Sequence, residues 1–245
     1  EQVRAAGAKS FVFASSCSVY GFAEGGAKTE ESEVNPLTAY AKSKVGAEKD
    51  LSTLASQNFA VTCLRFATAC GMSERLRLDL VLNDFVASAV TAKKITILSD
   101  GTPWRPLIHI RDMARAIDWG VQRKSADGGA FLSVNVGSDG WNYQVRDLAT
   151  AVSKAIPNVE ISINQNAQPD KRSYRVSFQK FRRLAPHYQP EVDLDAAIVD
   201  LKTGLEKMGF ADREFRNSHL IRLNMLKDLK LQGCLSEDLR WISSS

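Results

Sequence analysis

Apolar positions along this chain fall into two kinds of run. Short runs at Phe11–Ala14, Val61–Phe66, Ile95–Leu98 and Phe131–Val136 break into small or polar residues and read as strands. The first two read as buried strands of a parallel sheet, with the first opening at its carboxyl end into Ser15-Ser16-Cys17-Ser18-Val19-Tyr20-Gly21. Longer stretches carry apolar residues three and four apart: Val45, Leu51, Leu54 and Ala55; then Leu80, Val81, Phe85, Val86 and Val90; then Ala197, Ile198, Leu201, Leu205 and Met208. They predict helices over about 38–57, from about 80, and over 194–210. Residues 1–8 read as the end of a helix stopped by Gly7, further helices are expected over 111–123 and from Gln144 to about Ile156, and Val159–Ile163 alternates as a half-buried strand. Beyond 210, Leu220, Ile221, Leu223, Leu226, Leu229 and Leu231 lie in a basic background. Such an amphipathic tail packs on its own domain or on a partner chain.

Composition narrows the class. The chain has 245 residues, 44% hydrophobic and 24% charged, enough for a full core in one globular unit or two small ones. Its net charge of +4, from 32 basic and 28 acidic residues, does not by itself indicate nucleic-acid binding and suits an anionic small ligand. Cys17, Cys63, Cys70 and Cys234 show no paired or metal-type spacing and read as reduced thiols of a cytoplasmic protein, with no metal site. No run approaches the ~20 apolar residues of a membrane span, so no membrane association is expected.

The candidate chemistry starts at Tyr40-Ala41-Lys42-Ser43-Lys44. Pro36 and Thr38 read as a helix start, so Tyr40 and Lys44, four residues apart, project from one face. A fixed ammonium favours the ionised form of a nearby phenol and moves it toward service as a base. By itself this spacing also occurs on many solvated helices. Two other stretches carry similar ambiguity: Gly101 through Arg105 to His109-Ile110-Arg111-Asp112, and Asp170-Lys171-Arg172-Ser173-Tyr174. A guanidinium fork such as that of Arg105 suits a diphosphate, or it forms a surface salt bridge. His109, in an apolar strand, reads as a satisfied core histidine, and Asp112 as the cap of the next helix.

Taken together and in order, the strand ending in Ser-Ser before Val-Tyr-Gly, the Tyr-x-x-x-Lys pair, the Gly-to-Arg turn with its His-Ile-Arg-Asp strand end and the Asp-x-Arg-x-Tyr variant resemble the extended short-chain dehydrogenase/reductase family. Within it they are most similar to the NAD-dependent nucleotide-sugar epimerases and dehydratases. The resemblance runs from residue 9 to about 210. It implies an α/β fold: the C-terminal part of a Rossmann-like parallel sheet with a smaller α/β substrate-binding domain. The implied boundaries are 1–72 for the dinucleotide-binding part, 73–106 for a substrate-binding insertion, 107–141 for the return to the sheet, and 142–245 for the C-terminal substrate-binding region and helical tail.

The same resemblance implies roles. Tyr40 would be the base, Lys44 would support it and bind the nicotinamide ribose, and Ser16 would hydrogen-bond the same sugar hydroxyl. Thr68 stands where the family commonly has Asn beside nicotinamide and sugar. Asn83, Arg105 and Arg172 would bind the substrate diphosphate, although a water-facing helix residue for Asn83 and a solvated strand for Arg172 fit their local patterns as well. The implied cofactor is NAD, with NADP not excluded; the partner is a nucleotide-diphosphate sugar, and a homodimer is open. Family dehydratases carry Asp-Glu after the Ser or Thr, where this chain has Cys17-Ser18, so an epimerase working through a keto-sugar is expected rather than a dehydratase, with a reductase or decarboxylase left open. The Gly-rich phosphate turn of the family does not occur in the sequence, and the chain is expected to be a fragment lacking roughly the first third of the family pattern. A non-catalytic or truncated Rossmann-like protein that binds a sugar nucleotide or partner is the rival expectation.

Overall fold

The computed structural model describes residues 1–22, 25–164, 167 and 173–242. A short helix, α1 (Gln2–Ala5), turns at Gly7, φ +86°, into strand β1 (Ser10–Ser16). A 3-10 turn, Cys17–Tyr20, and a polar loop lead to helix α2 (Ala39–Leu54). Thr38 starts this helix because its extended backbone leaves Oγ1 to accept the Ala41 amide at 3.1 Å. The chain continues through β2 (Ala60–Phe66), β3 (Thr68–Cys70), α3 (Val81–Ala92), β4 (Lys94–Ile97), β5 (Trp104–His109), α4 (Ile110–Gln122) and β6 (Phe131–Val136). It closes through β7 (Asn142–Gln144), α5 (Val145–Ala155), β8 (Glu160–Ile163), α6 (Gln179–Leu184), α7 (Leu194–Lys207) and α8 (Arg222–Leu231).

The main sheet is parallel, in the order β1-β2-β6. The middle strand, β2, is buried at all seven positions, as its unbroken apolar run requires of a strand covered on both faces. β1 departs from the expectation of a buried strand. It forms the edge of this sheet, only Ser15 of its seven residues is buried, and Phe11 and Phe13 are half covered by α2 and the Phe59 cluster. An apolar run reports what a strand packs against on its faces and not whether both of its edges are paired.

Two smaller sheets make up the second part: β3 beside β5 in parallel with β7 antiparallel on β5, and β4 beside β8 in parallel. One apolar core joins Leu64, Val134, Trp119 and Phe181 beneath the main sheet, and another joins Leu78, Leu82, Ile95, Leu148 and Leu201 between α3, α5, α7 and β4. Between them, Asp200 of α7 accepts hydrogen bonds from the Met72 amide at 3.1 Å and from Arg111 at 2.9 Å, and faces His109 Nε2 at 3.3 Å. Gly71 at φ +109° is required here, because a Cβ would strike the His109 ring.

Asp112 does not cap α4. His109 does, its Nδ1 accepting the Arg111 amide at 3.3 Å, which puts the ring proton on Nε2 toward Asp200. Asp112 instead accepts the backbone amides of Glu191 and Val192 at 3.0 and 3.2 Å, pinning the approach to α7. The cap falls one turn earlier because the helix begins at Ile110, directly after the strand.

Candidate active site

The site is built where β1 and β2 end and α2 begins. Near the start of α2, Tyr40 is 55% exposed, and one turn later the Lys44 ammonium lies 5.3 Å from its ring centroid. Lys44 Nζ also donates to the Ala14 carbonyl at 2.8 Å and sits 4.7 Å from the Phe13 ring, so the ammonium is held on β1 beside the phenol. Ser16 closes β1, and its Oγ accepts the Ser18 amide at 3.2 Å, which starts the 3-10 turn and leaves the hydroxyl proton to donate elsewhere. The turn packs against α2.

From this corner a cleft of about 600 Å³ runs to the second core. One wall is Ser18, Gly21, Thr38 and Thr68; the other includes Asp84, Thr96, Arg105, Tyr174 and Arg216. Gly21, at φ +63°, carries the chain so close to the Asn35 carbonyl that a Cβ would strike it. The Ser18 hydroxyl is buried and has no hydrogen-bond partner among the described residues. Arg105 reaches the wall from β5, one guanidinium nitrogen donating to the Trp104 carbonyl at 2.8 Å. Arg216, from the short turn Phe215–Asn217, grips Asp84 with two bonds of 2.7 and 2.6 Å and Ser88 Oγ at 3.2 Å. Those Asp84 bonds hold the Arg216 guanidinium above its ordinary pKa against the cost of burial.

The sequence candidates thus separate. Lys44 sits beside the Tyr40 ring and reaches β1 at Ala14, two residues before Ser16 closes the strand, while Thr68 and Arg105 line the cleft. Asn83 does neither of the things expected of it. It is buried, its carboxamide accepting the Gly71 amide at 3.1 Å and donating to the Arg77 carbonyl at 2.9 Å, so it shapes the loop before α3 instead of lining the cleft or facing water. Arg172 lies outside the described residues. Sequence reasoning passed over Ser18, Asp84 and Arg216. Ser18 sits two positions after Ser16 and could have been found from that offset, whereas Arg216 and Asp84 are 132 residues apart and only the fold joins them.

The model of the NAD dependent epimerase/dehydratase family matches residues 1–137. The chain belongs to that family. Among curated epimerase/dehydratase relatives, it is 31% identical over 173 residues to the UDP-glucose 4-epimerase of Haemophilus influenzae, covering 63% of this chain and 51% of the relative. It is 33% identical over 111 residues to an uncharacterised UDP-glucose epimerase, YtcB, of Bacillus subtilis, covering 44% of this chain and 34% of the relative. The chain therefore spans about half or less of the length of these relatives. Among solved structures, the UDP-glucose 4-epimerase of Stenotrophomonas maltophila with bound NAD and formylated UDP-arabinopyranose superposes with a TM-score of 0.72 at 21% identity, over 84% of this chain and 66% of that one. The Bifidobacterium longum UDP-glucose 4-epimerase in complex with NAD+ and UDP gives 0.70 at 21% identity, over 84% and 66%. At this identity the likeness establishes the shared Rossmann-type fold of the epimerase/dehydratase family.

Proposed function

We propose that the chain carries the catalytic corner and sugar-nucleotide cleft of an NAD-dependent nucleotide-sugar epimerase. The observation that carries this reading is the pairing of Tyr40 with Lys44 at 5.3 Å on one helix face, with Lys44 fastened to the strand that ends in Ser16. Tyr40 would remove the proton of a sugar hydroxyl, and Ser16, whose proton is free to donate, would hold the same oxygen. Arg105 and Arg216 give the far end of the cleft two guanidinium groups for a diphosphate, with Asp84 holding Arg216 until an anion arrives.

The donor set fits the nicotinamide end of NAD or NADP: an exposed phenol and an ammonium beside the carboxyl end of β1, and the Thr68 hydroxyl at the start of β3. Tyr40, Lys44 and Thr68 would hold that end, and the bound nicotinamide supplies hydride acceptance and return. Cys17 cannot supply the acid of a dehydratase. Its thiol is fully buried, donates to the Arg65 carbonyl at 3.0 Å, and is pushed by burial well above the ordinary thiol range. The outward face of α2 is polar, with Lys42, Ser43, Lys49, Asp50, Ser52 and Thr53 exposed, so a homodimer through this helix would be a hydrated one.

The test is incubation of the protein with NAD and UDP-glucose or UDP-glucuronic acid, followed by proton NMR of the anomeric region. A second anomeric signal from the inverted sugar is the expected result; UDP binding with no second signal from any sugar would overturn it. That outcome is the second reading, sugar-nucleotide binding without turnover, which the 55% exposure of Tyr40 favours.

A further inference from the structure

The two residues of β1 that precede Ser16 are both gripped by α2. Lys44 donates to the Ala14 carbonyl at 2.8 Å, and one turn further along the helix Glu48 Oε1 accepts the Ser15 hydroxyl at 2.5 Å. Glu48 is 6% exposed in the middle of a mostly polar helix, an unusual place for a carboxylate unless its charge is met. Arg65 of β2 meets it, with Nε at 3.0 and 3.2 Å from the two carboxylate oxygens and Nη2 at 2.6 Å from Oε2, while Ser133 of β6 adds a bond of 3.3 Å.

This arrangement is a row. Ser15, Arg65 and Asn135 are direct cross-strand neighbours in the parallel sheet, one position before the row that begins with Ser16. Arg65 Nη1 donates to the Tyr20 hydroxyl at 3.1 Å, which donates to Asn135 Oδ1 at 2.7 Å. The Asn135 amide in turn donates to Glu30 at 2.8 Å. Burial works against the charge of Arg65, and the hydrogen bonds and charge of Glu48 more than offset it. The row therefore crosses all three strands and ends on α2, and every polar side chain in it is bonded.

Neutralising Arg65 would need only the ion pair. The Ser15 bond goes beyond that. It ties the helix to the strand one residue from Ser16, through a carboxylate one turn from Lys44 and two turns from Tyr40. We propose that Glu48 is a positioning residue: by clasping Ser15 while locked to Arg65, it fixes the height of α2 along β1, and with it the placing of Tyr40 and Lys44 relative to Ser16. The proposal rests on the reading of those three as the reacting constellation.

Ser15→Ala separates positioning from stability, because it removes the clasp and leaves the Glu48–Arg65 pair and its Ser133 bond in place. The spectroscopic readout is the fluorine NMR signal of Tyr40 in protein labelled with 3-fluorotyrosine, assigned by its loss in Tyr40→Phe, and it needs neither substrate nor turnover. Positioning predicts that the Tyr40 signal of Ser15→Ala moves or splits, and that Ser15→Thr, which keeps the hydroxyl, returns it to the wild-type place. The kinetic readout is a fall in kcat of about tenfold with KM for UDP-glucose unchanged, the mark of a misplaced reacting group. A Tyr40 signal that superimposes on the wild type while the melting temperature drops would overturn the proposal and leave Glu48 a purely structural partner of Arg65. Wild-type protein without turnover, together with a Tyr40 signal that answers to Ser15, would sink the epimerase reading and keep the positioning one.

Discussion

Two arginine–carboxylate pairs in this molecule have nearly the same geometry and opposite surroundings. Glu48–Arg65 and Asp84–Arg216 each close to 2.6 Å through paired bonds. The first is sealed, with side-chain exposures of 7% and 10%, and is bonded further to Ser15, Ser133 and Tyr20. The second lies in the cleft wall at 17% and 43% exposure and is bonded further to Ser88. A sealed pair cannot exchange partners, because each ion would be stranded in a low dielectric. A pair on a cleft wall exchanges readily, since solvent and an incoming anion can replace the carboxylate. On the proposed reading, the same chemical unit would serve as a strut beside Tyr40 and Lys44 and as an adjustable contact where a ligand's charge would arrive.

Breaking the strut should have the largest effect. Glu48→Ala leaves Arg65 buried without its counter-charge and is expected to cost about 3–5 kcal/mol in urea unfolding. A cost below about 1 kcal/mol would put this pair in the same class as the exposed one. Alkaline titration sharpens the contrast next. Cys63 lies beside the strut, and burial pushes its thiol up to about 12. The unfolded thiol releases its proton near ~8.5 while the folded one keeps it, so stability is full below that pH and falls by about 1.4 kcal/mol per pH unit from this residue alone as pH rises toward 12. Cys63→Ala should flatten the measured slope above pH 9 by about that amount.

At the cleft wall the effects are smaller and fall on binding. Arg216→Ala should weaken UDP binding about tenfold by calorimetry while costing about 1 kcal/mol or less in stability. Asp84→Asn, which frees Arg216 for a phosphate, should strengthen UDP binding a few-fold, and the gain should shrink in about 1 M salt. Equal UDP affinities in wild type and both variants would remove the wall pair from the binding account. At the bottom of the scale, Lys230→Ala should change stability by about 0.5 kcal/mol or less, because its Glu237 partner is 91% exposed.

How much of this was legible in the sequence depends on the distance between cause and effect. The start of α2 was readable because Thr38 and the Tyr40–Lys44 spacing act within one turn, and β2 because its burial is written in seven consecutive residues. The exposure of β1 was not, since periodicity carries no record of which edge a strand occupies. Asn83 looked like a water-facing or ligand-facing residue because nothing nearby in sequence announces that Gly71 and Arg77 would wrap around it. Asp112 fits the composition of a helix cap, and only the backbone of Glu191 and Val192, about 80 residues away, shows what it holds. The strut lay halfway between these cases: Glu48 is one more helical turn beyond Lys44, a spacing the sequence displays, but the Arg65 that makes it tolerable sits inside an apolar strand 17 residues on.

The central claim is that Tyr40 does chemistry at a corner apart from the cleft wall that would hold the diphosphate. The most direct measurement compares wild type with Tyr40→Phe in two assays, epimerisation of a UDP-sugar in the presence of NAD and the Kd for the same UDP-sugar. The account predicts turnover in the wild type, a loss of at least about a hundredfold in the variant, and a Kd unchanged within about a factor of two. A variant that turns over as fast as the wild type, or one that loses binding along with turnover, would contradict it.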